Sequence, residues 1–156
     1  MLKNYILLFD IKFIYNFVTA VKFTAVTKRK SMKFYNRESE LKKLQNMREL
    51  SFSDHSRLTV ITGRRRIGKT SLIINSIDDN PFIYLFVGRK NEASLCANFC
   101  KEISSKLSIF VPNINSFQEL FLFILQQGET QCFTLAIDEF QEFFNINPSI
   151  YSDIQN

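Results

Sequence analysis

The residues with the clearest chemical potential form a glycine- and arginine-rich segment, Gly63-Arg64-Arg65-Arg66-Ile67-Gly68-Lys69-Thr70. Its spacing, G-x-x-x-x-G-K-[ST], is typical of loops that bind polyphosphates. A phosphate needs several donors at short range. Successive backbone N–H groups of a curled loop supply them, together with the positive end of the following helix. We therefore expect the segment from Gly63 to Ser71 to bind phosphate, with Lys69 on the β- and γ-phosphates and Thr70 on a magnesium ion.

The flanks of this loop have the patterns that such a loop requires. The apolar run 58–62 precedes it and is typical of a buried strand, and the run 71–77 follows it with the composition of a helix. The order strand, glycine loop, helix is the arrangement in which the motif works. The alternative interpretation is a tight strand-to-helix turn that carries a surface lysine.

A second group of reactive side chains follows another apolar run, residues 133–137, which ends in Asp138-Glu139. A carboxylate at the end of a buried strand can hold magnesium, usually through water, so we expect Asp138 to lie beside Thr70. Glu139 points elsewhere and can polarise the water that attacks the γ-phosphate. The alternative interpretation is a solvated acidic turn after a strand.

Three motifs occur in a fixed order and resemble a known family. They are Phe34-Tyr35-Asn36-Arg37-Glu38, the loop with its triple arginine, and Asp138-Glu139-Phe140-Gln141. Together they resemble the archaeal-type ATPase family of prokaryotes, AAA-related P-loop proteins of the additional-strand, catalytic-glutamate class. The resemblance extends from about Met32 to the end of the sequence.

This resemblance implies a three-layer α/β/α P-loop NTPase fold with a parallel sheet. It implies that residues 63–70, the Walker A loop, bind ATP. Asp138 of the Walker B motif would serve Mg²⁺, and Glu139 and Lys69 would be catalytic in ATP hydrolysis. The segment 34–37 would lie near the adenine, although Asn36 also suits the N-cap of a helix.

Members of that family continue beyond the second strand, with a sensor strand, a γ-phosphate-sensing arginine and a helical lid. The sensor strand lies between the two strands that carry the site. The resemblance therefore implies that residues 32–156 are the N-terminal part of an ATPase domain, truncated after the Walker B strand, with reduced turnover. A nucleotide-dependent switch or interaction module with little turnover is the alternative function.

Charge is unevenly distributed along the 156 residues, whose formal net charge is +5. Residues 1–37 contain eight Lys or Arg and one Asp, whereas residues 38–156 contain twelve basic and fourteen acidic residues. The cluster Lys28-Arg29-Lys30 can contact nucleic acid or anionic lipid, or it is simply a solvated flank. We assign residues 1–31 to an N-terminal extension outside the domain, with Met32 as a candidate start. No apolar stretch reaches the length of a membrane span.

The remaining patterns predict an ordinary cytoplasmic α/β protein. Three cysteines suit a reducing compartment, and Cys96 and Cys100 are expected to pack on a helix rather than bind zinc. Hydrophobic periodicity, turn signals and capping residues predict the elements. In chain order these are helix 37–50, strand 58–62, helix 69–77, strand 82–87, helix 91–107, helix 116–128, strand 133–137 and a last helix from 147.

Overall fold

The computed structural model describes residues 4–11, 37–64, 66–77 and 80–153. The elements up to the glycine loop are β1 (Asn4–Ile11), α1 (Glu38–Ser53) and β2 (Arg57–Gly63). After the loop follow α2 (Lys69–Ser76), β3 (Phe82–Phe86), α3 (Glu92–Leu107), α4 (Phe117–Gln127) and β4 (Phe133–Asp138). A 3-10 turn (Phe140–Glu142) leads to two short helices, α5 (Phe143–Ile146) and α6 (Ile150–Asp153). The predicted α/β class is confirmed, and the predicted element boundaries lie within a few residues of those observed.

The four strands among the described residues form one sheet in the order β2-β1-β4-β3. β3 and β4 are parallel, whereas β1 runs antiparallel to both β2 and β4. The sheet is therefore mixed: the expected parallel arrangement is found for β3 and β4, and the antiparallel β1 departs from it. Because β2 and β4 both oppose β1, they run in the same direction and their carboxyl ends lie at the same edge. Gly63 and Asp138 are the last residues of these two strands.

The position of β1 differs from the expectation for residues 1–31. The sequence predicts that these residues form an extension outside the domain, yet Asn4–Ile11 lies between the two strands that carry the site motifs. Its register pairs Asn4 with Gly63 and Ile6 with Asp138. β1 thus joins β2 to β4, in the place that the family resemblance reserves for a sensor strand. The basic cluster 28–30 and Met32 lie outside the described residues.

Two helices begin at the capping residues that the sequence indicated. The side chain of Asn91 accepts a hydrogen bond from the backbone N–H of Ser94 at the start of α3. The side chain of Ser116 accepts one from the N–H of Glu119 at the start of α4. These side chains satisfy donors that the first turn of a helix leaves without intrahelical partners, which fixes where each helix starts.

Hydrophobic residues pack on both faces of the sheet. On one face, Leu44 of α1 and Leu72 and Ile73 of α2 pack with Ala136 of β4. Residues 135 and 137, on either side of Ala136 in the sequence, belong to a second and larger hydrophobic cluster. This larger cluster joins β3 and β4 to α3, α4 and the segments after β4. Because successive strand residues face opposite sides, helices α1 and α2 lie on one face and α3 and α4 on the other.

Helix α4 supplies much of the larger cluster. Its Phe117, Leu120 and Ile124 are fully buried. Leu122 and Leu125 remain 54% and 40% exposed, so the helix also presents an apolar outer side. None of the described helices is long and apolar enough to cross a membrane.

Candidate phosphate- and metal-binding site

The glycine loop connects β2, which ends at Gly63, to α2, which begins at Lys69. Gly68 is the residue before the helix and has φ 83°, a left-handed conformation that glycine adopts without strain. Arg66 is also left-handed, with φ 61°. Gly63 is required for a steric reason, because a Cβ at this position would clash with the Cδ1 atom of Ile67, at a distance of 2.6 Å. The loop is therefore tightly curled, as an anion-binding nest of backbone amides requires.

Lys69 is held inside this curl rather than on the surface. Its side chain is only 8% exposed. The Nζ atom donates hydrogen bonds to the backbone carbonyl oxygens of Gly63 at 3.1 Å and Arg64 at 3.0 Å. The ammonium group thus lies within the loop, in reach of an anion bound there. The alternative of a turn with a surface lysine is wrong.

The loop meets the second motif through a direct side-chain contact. The Thr70 hydroxyl donates a 2.8 Å hydrogen bond to Oδ2 of Asp138, which is 68 positions away in the sequence. Asp138 is 6% exposed, so it is not part of a solvated acidic turn. The predicted proximity of Thr70 and Asp138 is confirmed, and the two oxygen-bearing side chains lie at the shared carboxyl edge of β2 and β4.

Asp138 has two further partners. The hydroxyl of Tyr84, on β3, donates a 2.6 Å hydrogen bond to the same Oδ2 atom. The backbone N–H of Glu139 donates to Oδ1 at 2.8 Å. Burial raises the pKa of the Tyr84 phenol, and its hydrogen bond to Asp138 raises that pKa further. The phenol therefore stays protonated at neutral pH and remains a donor to the carboxylate.

Glu139 follows Asp138 in a left-handed backbone conformation, with φ 56°, which is uncommon for a residue with a side chain. Its Oε2 atom accepts a hydrogen bond from the side-chain amide of Gln141. The turn and this contact give the half-buried carboxylate a defined direction beside Asp138.

These groups surround one cavity of about 500 Å³. This volume falls within the usual range for small-molecule sites, about 300–1,000 Å³. The cavity is lined by Arg66, Gly68, Lys69, Thr70, Ser71, Asp138 and Glu139. Three other predicted phosphate-binding residues, Gly63, Arg64 and Ile67, do not line this cavity. Their backbone carbonyl oxygens accept hydrogen bonds from the side chains of Lys69 and Arg37. Arg65 lies outside the described residues.

The oxygen ligands at this cavity suit magnesium better than a metal ion that requires all of its ligands from the protein. The Thr70 hydroxyl and the Asp138 carboxylate are hard oxygen ligands. Among the described residues, no group of three or more His, Cys, Asp or Glu side chains could enclose a metal ion. Mg²⁺ commonly takes one or two protein oxygens and completes its shell with phosphates and water. The donor set therefore fits a magnesium ion that arrives with a polyphosphate.

The motif before α1 contacts the loop directly. Arg37, the residue preceding α1, donates a 2.9 Å hydrogen bond from Nη2 to the carbonyl oxygen of Ile67. Residues 34–36 lie outside the described residues, so their expected place near the adenine stays a prediction. The observed contact connects Arg37 to the glycine loop.

Sequence reasoning missed the contacts of Tyr84, Gln141 and Arg37. A weak signal existed for Tyr84, because it lies on an apolar strand next to Ala136 of β4 and two positions before the partner of Asp138. Side chains two positions apart on a strand share a face. That signal could be used only once β3 was known to be the neighbour of β4.

Cys96 is fully buried in the larger hydrophobic cluster, which agrees with the prediction that its side chain packs on a helix. Burial raises the pKa of its thiol to about 12. Cys100 and Cys132 are partly exposed, and all three cysteines are free thiols.

Comparison with known proteins shows similarity to an uncharacterized protein of Methanocaldococcus jannaschii. The two are 30% identical over 122 residues, which are 78% of this chain and 25% of that protein. The chain thus spans about a quarter of the length of this curated relative. No protein-family profile matches the chain, and no solved structure matches it. The ATPase resemblance therefore stays a prediction that depends on the motifs and on the site they form.

Proposed function

We propose that this chain binds a nucleoside triphosphate together with Mg²⁺, and that the nucleotide is ATP. One observation carries the proposal: Asp138, which is 68 positions from Thr70 in the sequence, lines the same cavity as Lys69 and Thr70. Lys69 supplies a cation within the curl of the loop, and the Thr70–Asp138 contact supplies oxygen ligands beside it. This combination of an ammonium, loop amides and a metal-binding oxygen pair suits a magnesium polyphosphate.

The proposed fold is the three-layer α/β/α arrangement of P-loop NTPases. Its support is the strand–loop–helix unit of β2 and α2, with helices packed on both faces of the sheet. The antiparallel β1 is a departure from the parallel sheet of that fold. Its presence between β2 and β4 keeps the two site-bearing strands at a fixed separation.

ATP hydrolysis is proposed for the complete protein. Bound Mg²⁺ would neutralise charge on the β- and γ-phosphates. Lys69 would bind the same phosphates, Thr70 and Asp138 would hold the ion, and Glu139 would orient the attacking water. The left-handed turn at Glu139 and its contact with Gln141 support this role, because they direct a carboxylate toward the cavity next to Asp138.

Nucleotide binding is tested by calorimetry with Mg-ATP and Mg-ADP. Lys69→Ala should weaken binding by about tenfold to a hundredfold, since hydrogen bonds to charged groups contribute about 1.5–3 kcal/mol. Lys101→Ala is the matched control, because Lys101 is an exposed lysine on α3, away from the cavity. The control should bind like the wild type. If the folded wild type binds neither nucleotide, the proposal is wrong.

A nucleotide-dependent switch is the second candidate. The exposed Leu122 and Leu125 on α4 favour it, because they give a soluble partner an apolar surface to contact. Measuring affinity and turnover separately distinguishes the two functions. The enzyme proposal predicts that Glu139→Gln retains ATP binding and loses turnover. Unchanged turnover in Glu139→Gln, with binding abolished by Lys69→Ala, would favour the switch.

Two further assignments remain proposals. A cytoplasmic location is supported by the three free cysteines, which suit a reducing compartment. Binding of nucleic acid by the cluster 28–30 predicts a steep loss of affinity with salt. It depends on residues outside the described part of the chain.

A further inference from the structure

Tyr84, a neutral side chain on β3, contacts the carboxylate of the candidate metal site from outside both site motifs. Its hydroxyl lies 2.6 Å from Oδ2 of Asp138, the same atom that accepts the hydrogen bond from Thr70. The residue is partly buried on β3. Neither motif includes it, and no role in phosphate or metal binding follows from its position in the sequence.

Three donors fix the Asp138 carboxylate in one orientation. Thr70 and Tyr84 both donate to Oδ2, while the backbone N–H of Glu139 donates to Oδ1. A carboxylate can rotate about its Cβ–Cγ bond, whose torsion is broad and roughly two-fold. Donors on both oxygens, from two sides, oppose that rotation. Of the three, Tyr84 can be altered without changing the loop or the strand end itself.

We propose that Tyr84 is a positioning residue for magnesium, holding the Asp138 carboxylate toward Thr70 so that the ion finds its oxygen ligands already arranged. The inference rests on the proposed nucleotide-binding function. Partners of metal-binding carboxylates typically alter metal affinity by about 10–100-fold when they are removed. Tyr84 also interacts with the Thr70 hydroxyl, itself a proposed magnesium ligand, but it does not line the cavity beside Lys69. Its contribution should therefore require the ion.

The test measures the affinity of fluorescent mant-ADP twice, once with excess Mg²⁺ and once with excess EDTA. The ratio of the two dissociation constants is the magnesium effect. Tyr84→Phe removes only the hydroxyl, and we expect it to reduce the magnesium effect by about tenfold. Affinity in EDTA should be unchanged, because the loop and Lys69 remain intact.

The matched control is Tyr151→Phe. The Tyr151 hydroxyl also donates to an oxygen, the backbone carbonyl of Phe140 at 3.4 Å, but it does not contact Asp138 in the described structure. This variant should keep the full magnesium effect. An equal loss of affinity with and without Mg²⁺ in Tyr84→Phe would show a general structural role and overturn the inference. An unchanged magnesium effect would overturn it as well.

A second measurement does not depend on the folding of Tyr84→Phe. The five tyrosines are replaced by 3-fluorotyrosine, and ¹⁹F NMR identifies Tyr84 by the resonance that moves in Asp138→Asn. In the protein with native Asp138, that resonance should shift more with Mg-ADP than with ADP in EDTA. Identical shifts would reject the role of Tyr84 while leaving nucleotide binding intact. Absence of ADP binding by the folded wild type would reject both proposals.

Discussion

The strand β1 should be essential for both stability and ligand binding, and Leu7→Pro tests this directly. Leu7 pairs with Val60 on one side and with Ile137 on the other. Proline lacks the backbone N–H, and its ring is tolerated in sheets essentially only at edges and bulges. An unsatisfied buried acceptor alone costs about 1–3 kcal/mol. With the distortion around the ring, we expect a total loss of roughly 3 kcal/mol.

The loss should appear as a fall in Tm of about 6–12 °C, since about 2–4 °C per kcal/mol is typical of domains of this size. Affinity for Mg-ADP should fall too. β2 and β4 lie on either side of β1, and adjacent strands are about 4.8 Å apart, so this strand sets the distance between Gly63 and Asp138. Leu7→Val, which keeps the N–H, is the control. If Leu7→Pro matches Leu7→Val in both assays, β1 is not part of the sheet.

Two other predictions concern the core around α3 and α4. Phe117 is fully buried with its ring centroid 4.4 Å from that of Phe143, so Phe117→Ala should cost about 3–5 kcal/mol in urea unfolding. Phe110→Ala is the control at an 87% exposed site, and an equal loss in the two variants would contradict the assigned core. Because burial raises the pKa of the Cys96 thiol to about 12, iodoacetamide at about pH 8 should modify Cys100 much faster than Cys96. The stabilisation from the neutral Cys96 thiol is complete below its ordinary pKa of about 8.5 and should be lost as the pH rises toward 12. Mass spectrometry of the alkylated native protein measures the two rates. Equal modification of Cys96 and Cys100 would contradict the prediction that the Cys96 thiol is protected by burial.

Local patterns were sufficient to predict most of the helices and strands. Asn91 and Ser116 cap helices where their side-chain chemistry predicted, and Gly68 adopts the left-handed conformation that the loop motif requires. The pairing of Thr70 with Asp138 was also predictable, because both follow apolar strands whose carboxyl ends share an edge. These features depend on neighbours in sequence or on a motif with a known spacing.

Features that depend on strand order were not predictable. The run around Leu7 is apolar and short, which suits a buried strand, but nothing in its period indicates which strands it joins. Its antiparallel insertion followed only from the structure. Tyr84 was missed for the same reason, since its contact with Asp138 requires β3 to be the neighbour of β4. Periodicity indicates which face a residue lies on, and tertiary packing decides what it meets there.

The central place of β1 has a consequence for how the chain folds. Ile6 pairs with Asp138 across almost the entire described sequence, so this part of the sheet is built from contacts of very high sequence separation. Closing so long a loop costs entropy before any pairing compensates for it, and folding slows as such contacts dominate. We therefore expect the αβ unit around the glycine loop to form early, and the complete cavity to assemble only in the slowest step.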